Sequence, residues 1–308
     1  MKLSIIIVSW NTRDLLIECL HSVYSSTREL IDAGRVETFV VDNASTDGSV
    51  GAVQRSFSWV TIVENPGNVG FATANNQAIR ASCGEYVLLL NPDTHVLGEA
   101  LVTLMHFLDD HPDVGAAGAR LLNDDGSLQQ SCYPAPTLSG ELARMFHLDA
   151  LVPFGVYWME RWPVTQPREV DVIQGACLLL RRKVLDAVGL LDEGYFMYSE
   201  EVDLCTRVQR GGWRLFWVPS AQVIHYGGQS SKQAATPMFV QLYASKILYF
   251  RTYYGAVTTI LYKLILAAAT LVRLALSPLA LFETGEARAK HLTLANRYGQ
   301  LLLTLPKL

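Results

Sequence analysis

The chain contains no C-x-x-C pair, and its five cysteines, Cys19, Cys83, Cys132, Cys177 and Cys205, are scattered and odd in number. This argues against a disulfide framework or a zinc site of the usual spacing, and predicts reduced, mostly buried thiols in a protein facing the cytosol. Positive charge is also in short supply. With a formal net charge of −4 there is no basic stripe to neutralise many phosphates, so nucleic-acid binding is not expected; a single nucleotide can still be held through a metal ion. The first loop, Ser9-Trp10-Asn11-Thr12-Arg13, has neither G-x-G-x-x-G nor G-x-x-x-x-G-K-[ST], and both common nucleotide-binding fingerprints drop out. No internal repeat or low-complexity tract is visible. Met1-Lys2-Leu3-Ser4 runs straight into a strand-like stretch without a small-residue cleavage site, so no signal peptide is expected.

What is present is apolar content: half of 308 residues, enough to bury the core of one large domain or two modest ones. Residues 3–9 form a continuous β-branched run, as a strand buried on both faces requires. Asn11 or Thr12 can then cap a helix to about residue 24. The strand pattern returns at 36–41, 59–64 and 85–90, with helices opening at Asp47-Gly48-Ser49 and over 69–81. Such alternation through short connections predicts βαβ units, a parallel sheet and right-handed crossovers. Between 101 and 171 the pattern loosens, with a turn at Asp124-Asp125-Gly126, breaks at Pro134 and Pro136, and aromatic bulk at Trp158 and Trp162. Strands are expected again at 170–181, 214–218 and 222–225, and a helix over 199–210.

Several polar residues sit where strands of a parallel sheet deliver their loops to one edge. Asp42 ends a strand, and its carboxylate can accept the ring N–H of a pyrimidine or simply fix the Asn43-Ala44-Ser45 turn. Asp93, in Asn91-Pro92-Asp93-Thr94, can serve a hard divalent cation such as Mg²⁺ or Mn²⁺ or belong to a type I turn. Ser199-Glu200-Glu201-Val202-Asp203 opens a helix whose positive end the acids would complement, with Ser199 as cap. Crowding raises their pKa values, and a carboxylate so poised can take a proton from an attacking hydroxyl. His225 follows a strand and precedes a glycine loop, where it could complete a metal shell, contact diphosphate, or be structural. The loop Asn65-Pro66-Gly67-Asn68-Val69-Gly70-Phe71-Ala72 permits close backbone approach to a ligand, although loop geometry alone explains its glycines nearly as well.

The last segment differs in kind. Over residues 255–282 apolar side chains dominate, interrupted by Lys263 and Arg273, and the length suffices for a membrane span. At about 100° per residue, Thr258, Thr259, Lys263, Thr270, Arg273 and Ser277 fall within one arc, intruded on by Leu266 and Ala269. Two basic residues in mid-span are costly, whereas a basic stripe opposite a leucine face suits a helix lying in the lipid interface. A spanning helix and a core or oligomer helix are the alternatives.

Taken in order, S-I-I-I-V-S-W-N, V-V-D-N-A-S-T-D-G-S, N-x-G-F-A-x-A-N-N, L-L-L-N-P-D, D-G-S-L-Q, G-A-C-L-L-L-R-R, L-D-E-x-Y-F-M-Y-S-E-E-V-D-L-C and I-H-Y-G-G-Q-S resemble glycosyltransferase family 2, in its rhamnosyltransferase-like branch, over about residues 3–231. The resemblance implies an α/β GT-A fold: a Rossmann-like nucleotide half (1–97) and an acceptor half (98–235), with 236–308 as a helical, membrane-associating tail. It implies an inverting transferase that moves a sugar, rhamnose first, from a dTDP- or UDP-sugar to a glycan or polyprenyl-linked glycan hydroxyl at the cytoplasmic face of the membrane. Asp42 would hold the pyrimidine, with Ser9, Asn11, Asn43, Asn68, Gly70 and Asn91 also on the nucleotide-sugar. Asp93 would be the surviving carboxylate of a D-x-D motif whose first position is here Asn91. His225 would complete the Mg²⁺ or Mn²⁺ site. One of Glu200 and Glu201 would be the base; family members often carry Asp where this chain has Glu201, which leaves the choice open. A nucleotidyltransferase, and a sugar-nucleotide-binding scaffold without turnover, are the competing functions.

Overall fold

The computed structural model describes residues 1–148, 155–282 and 284–308. From the N-terminus run β1 (Leu3–Ser9), α1 (Arg13–Asp32), β2 (Val36–Asp42), α2 (Ser49–Ser56), β3 (Val60–Glu64), α3 (Phe71–Ala81), β4 (Tyr86–Leu90), β5 (Thr94–Val96), α4 (Ala100–Asp110) and β6 (Val114–Leu122). Then come β7 (Cys132–Tyr133), α5 (Leu138–Met145), β8 (Arg168–Glu169), β9 (Val172–Ile173), β10 (Cys177–Arg181), α6 (Arg182–Val188) and α7 (Glu200–Arg210). The chain ends with β11 (Arg214–His225), α8 (Gln229–Lys232), α9 (Ala235–Leu276) and α10 (Gly285–Thr304). These form two compact units: one of Met1–Ala135, Tyr157–Phe196 and Glu200–Gln233, the other of Pro136–Val156, Met197–Ser199 and Ala234–Leu308.

The first unit is an α/β layer structure around a mixed, mostly parallel sheet in the order β3-β2-β1-β4-β10-β6-β11-β5, with β8 added to β11. β1, β2, β3 and β4 are parallel, and β1 and β4 are buried along their whole length, as their unbroken Ile, Val and Leu content predicts. Register then places the loops. Ser9 lies opposite Asp42 and Ile7 opposite Leu90, so Asp42 and Asn91 leave the sheet at the same edge, about 10 Å apart across two strand spacings.

The stretch after residue 100 is more regular than its sequence suggests. α4 and β6 both form there, and the strand signal of β6 is masked by the small residues of Val-Gly-Ala-Ala-Gly-Ala. Gly118 is small for a reason: a methyl group added to it would fall inside the van der Waals shell of Ile173. The strand expected over 170–181 is divided by Gln174-Gly175-Ala176 into β9 and β10, and β10 runs antiparallel to both β4 and β6. The two expected strands near the end of the unit are one, β11, with a register shift between Val218 and Gln222, where Pro219 has no N–H to give the ladder.

The second unit packs α5, α9 and α10 around Met145, Ile247, Phe250, Tyr262, Leu266, Ala269, Leu301 and Leu305. Phe250 stacks on Tyr262 at 4.6 Å between ring centroids. The buried carboxylate of Glu141 is paired with Lys246 Nζ at 3.0 Å and with Arg144. Residues Ala235–Ala280 are long and apolar enough to cross a membrane by length and composition, but α9 is broken at Gly255, whose φ of 79° no other residue type adopts readily. Beyond the break the polar arc packs inward and the leucine face lies outside, as an interfacial helix requires, but Arg273 does not face outward as expected. Thr259, Tyr262, Leu266, Ala269 and Thr270 are buried, while Val257, Ile260, Leu261, Leu264, Leu271, Val272 and Leu276 are exposed. Arg273 donates to the carbonyls of Ala269 (3.1 Å) and Met145 (2.5 Å) and stands 5.4 Å from the Tyr298 ring centre. It is a packing residue, and the leucine face is the one left outside.

Candidate active site

The loop after β2 is organised by carboxylates. Asp47 accepts from Arg13 N (2.8 Å) with one oxygen and from Ser49 N (3.0 Å) with the other. It thereby occupies free N–H groups at the starts of α1 and α2 together. Neither Thr12 nor Asn11 caps α1 through its side chain; Asn11 has φ 52°, and its Oδ1 accepts from Thr46 N at 2.7 Å. Burial pushes Asp47 up, but its hydrogen bonds to Ser49 and Arg13 outweigh that and hold it below the ordinary carboxylate value. Ser9 is fully buried and bonded to Thr12 Oγ1 at 3.0 Å.

Asp42, at the end of β2, is 3% exposed. Its Oδ2 accepts from Ser45 N at 2.8 Å, so the turn role is real. Its Oδ1 is buried without a partner among the described residues, which a turn does not explain, because a buried carboxylate oxygen with no donor costs free energy. Asn43 ties this loop to the next: its Nδ2 donates to Gly70 O (3.3 Å) and its Oδ1 accepts from Asn65 Nδ2 (2.9 Å). Asn68 Oδ1 accepts from Gly70 N at 3.0 Å. Gly70 has φ 86°, and a methyl group there would stand 2.5 Å from Phe196 O.

Asn91, Asp93 and His225 come together where β4, β5 and β11 meet. Thr94 pairs with His225 in the sheet. His225 Nε2 lies 3.4 Å from Asp93 Oδ1 and 3.3 Å from Asn91 Nδ2. Asp93 Oδ2 accepts from Gln229 N at 3.3 Å. Burial pushes Asp93 up, and the neighbouring His225 and Gln229 N–H more than offset this, leaving it below the ordinary carboxylate value. Among the described residues no three His, Cys, Asp or Glu side chains are grouped to hold a metal by themselves. The buried pair supplies one carboxylate oxygen and one imidazole nitrogen side by side. That set fits a hard cation whose remaining ligands are diphosphate oxygens and water.

The third cluster opens α7. Tyr198 and Ser199 both have positive φ, 68° and 66°, so Ser199 is not in the extended conformation of a helix cap. Two consecutive non-glycine residues in that region are costly and mark an over-determined segment. The three acids have different fates. Asp203 is bound to Arg207 at 2.7 Å, and Arg207 also donates to the carbonyls of Val188, Gly189 and Leu190; this acid is structural. Glu200 is 5% exposed, and burial together with the neighbouring Glu201 carboxylate raises its pKa well above the ordinary value. Glu201 is half-buried, and its Cβ lies 3.7 Å from where a methyl on Gly175 would be, with the Phe71 ring at 3.8 Å. The next residue, Ala176, accepts from Asn91 N at 3.0 Å. Glu201 is thus linked through one short loop to the Asn91–Asp93 turn.

The arginines of L-L-L-R-R lie elsewhere. Arg181 pairs with Tyr86 at the opposite end of β4 and donates to Val114 O and His111 O, while Arg182 donates to Gly84 O and Ser82 Oγ. The sequence assigns Asp47 only the opening of a helix and gives Gln129 no role, although both stand in quoted motifs. All five cysteines are free and only Cys83 is exposed; burial pushes the Cys19, Cys132, Cys177 and Cys205 thiols up to about 12.

Comparison with known proteins gives a consistent result. The family model "Glycosyl transferase family 2" matches residues 4–189. A Mycobacterium tuberculosis protein named N-acetylglucosaminyl-diphospho-decaprenol L-rhamnosyltransferase is 31% identical over 210 residues, 64% of this chain and 68% of that one. Rhamnosyltransferase WbbL of Escherichia coli is 26% identical over 181 residues, 56% of this chain and 67% of its own. Among solved structures, the mannosyltransferase PcManGT of Pyrobaculum calidifontis, in complex with GDP-Man and Mn²⁺, superposes with a TM-score of 0.53 at 20% identity, covering 99% of this chain and 86% of its own. S. aureus TarS 1-349 gives 0.54 at 16% identity, covering 100% and 92%. These likenesses establish the GT-A fold.

Proposed function

The chain belongs to glycosyl transferase family 2, in the branch of the rhamnosyltransferases, and we propose that it moves rhamnose, or another hexose, from a dTDP- or UDP-sugar to a hydroxyl of a glycan or polyprenyl-linked glycan, inverting the anomeric centre. The observation that carries this is the sorting of acids at one sheet edge: a buried Asp42 oxygen without a partner, the Asp93–His225 pair, and half-buried Glu201 beside the loop bonded to Asn91. Residues 1–97 serve as the donor half and 98–235 as the acceptor half.

In this reading Asp42 Oδ1 accepts the pyrimidine ring N–H and orients the nucleoside. Asp93 and His225 would hold Mg²⁺ or Mn²⁺, which when bound neutralises charge on the departing diphosphate. Glu201 takes the proton of the acceptor hydroxyl as its oxygen attacks the anomeric carbon; the bond to the diphosphate oxygen breaks on the opposite side and its electron pair leaves with the diphosphate. Glu200, sealed and biased toward its protonated form, is less suited to be the base. No covalent intermediate is required.

In the same reading the tail, 236–308, lies on the cytoplasmic face of the membrane with the exposed face of α9 in the lipid interface. The support is the composition of that face: Val257, Ile260, Leu264, Leu271 and Leu276 are each more than half exposed, a contiguous apolar strip that water solvates poorly. Incubation with a panel of nucleotide sugars and Mg²⁺ or Mn²⁺ tests the donor assignment. Metal-dependent turnover of dTDP-rhamnose is expected; binding without product would point to a scaffold, and turnover of another sugar alone would replace rhamnose.

A further inference from the structure

We infer that Gln129 is the positioning residue of His225, fixing which ring nitrogen faces Asp93. This rests on the proposed role of His225 at the diphosphate side. Gln129 Nε2 donates to the main-chain carbonyl of His225 and to Asn123 Oδ1, both at 2.9 Å, and its Oε1 lies 2.6 Å from His225 Nδ1. The carbonyl decides the orientation of the amide. A carbonyl has no proton to give, so the NH₂ end of Gln129 must point to it and the Oε1 end to the ring. An amide oxygen can only accept, so Nδ1 must carry the proton. In the neutral ring Nε2 is therefore the open nitrogen, and it is the one beside Asp93 and Asn91.

The support extends outward. Asp125 Oδ1 accepts from Ser127 N (2.9 Å) and Ser127 Oγ (2.6 Å), which commits the hydroxyl proton. Ser127 Oγ then accepts from Asn123 Nδ2 at 2.9 Å, and that turns Asn123 Oδ1 toward Gln129. Asn123 N donates to Ser127 O and Gln129 N to Leu121 O, closing the hairpin. The D-G-S-L-Q motif is thus a relay of one-way hydrogen bonds ending on an imidazole. It resembles the way metal-binding histidines are oriented by a partner on their other nitrogen, where loss of the partner weakens metal binding by about 10–100-fold.

The decisive measurement is the ¹⁵N spectrum of the His225 ring in the full-length, metal-free protein, beside Mn²⁺ and dTDP titrations of Gln129→Met, Gln129→Glu and His225→Ala. Wild type should show Nδ1–H. Gln129→Met should lose that preference and bind Mn²⁺ with dTDP about 10–100-fold more weakly, with metal-free dTDP affinity unchanged. Gln129→Glu keeps an acceptor for Nδ1–H and should recover part of the loss. A wild-type ring protonated at Nε2 alone would overturn the inference, even if Gln129→Met fails to fold, as would wild-type Mn²⁺ affinity in a folded Gln129→Met. Undiminished Mn²⁺ affinity in His225→Ala would instead overturn the metal role of His225, a failure recognisable by an intact Nδ1–H signal in wild type.

Discussion

His225 Nε2 stands 3.4 Å from Asp93 Oδ1, both side chains being buried at the ends of the antiparallel pair β5 and β11. The pair sets one carboxylate oxygen and one imidazole nitrogen side by side, the two ligands that the proposed cation site requires. Asp93→Asn replaces a carboxylate by a poor ligand for a hard ion. It is expected to abolish most transfer and to weaken donor binding chiefly when Mn²⁺ is present. Unchanged activity with an ordinary Mn²⁺ titration would remove the metal role.

The two oxygens of Asp42 differ, one accepting from Ser45 N and one without a partner among the described residues, and one substitution separates their proposed tasks. Asp42→Asn keeps an acceptor for Ser45 N but presents an NH₂ where the pyrimidine N–H should be received. The donor KM is expected to rise about tenfold or more, for a lost charged hydrogen bond of about 1.5–3 kcal/mol, with Tm near wild type and metal dependence unaltered. A lower Tm with unchanged KM would leave Asp42 as a turn residue only.

Glu201→Gln should lower kcat by about 10²–10⁴-fold, the usual contribution of a positioned base, while donor affinity holds. Glu200→Gln should be milder, and the reverse ranking would move the base to Glu200.

Glu200 has a further signature in stability. Its folded pKa lies above the ordinary 4.5, so the unfolded chain gives up this proton first as pH rises. Wild-type stability from this group is full below the unfolded pKa and declines toward the folded one. Glu200→Gln is therefore expected to melt higher than wild type at pH 8, with the advantage gone below pH of about 4. Equal melting temperatures at both pH values would contradict this.

For the tail, Ile260→Glu, Leu264→Glu and Leu271→Glu combined should release the protein from anionic vesicles without changing its melting curve, since all three side chains are exposed. Each loses about 1.5–3 kcal/mol of apolar burial in lipid. Arg273→Glu should instead destabilise the tail, because that guanidinium is spent on carbonyls within it. Retention of the triple variant through carbonate washing would indicate a spanning helix.

The sequence by itself determined the first half of the sheet. Unbroken β-branched runs at 3–9 and 85–90 have one stable destination, a strand buried on both faces, and the loops that follow must then emerge together. The acids of the candidate site were legible for the same reason: Asp42 ends a strand, Asp93 follows one and Glu200 opens a helix. Tertiary structure alone decided the surroundings of each acid. Asp203 is absorbed by Arg207, a partner on its own helix that three distant carbonyls hold in place; Glu201 is distinguished from Glu200 by which of them packing seals. β6 was hidden because glycine and alanine carry little strand signal, and their small size is dictated by neighbours such as Ile173. The tail is the clearest case. Periodicity located the polar arc of α9, but a helix can present either face to its partners, and only the packing of Tyr262, Leu266 and Arg273 turned the leucines outward.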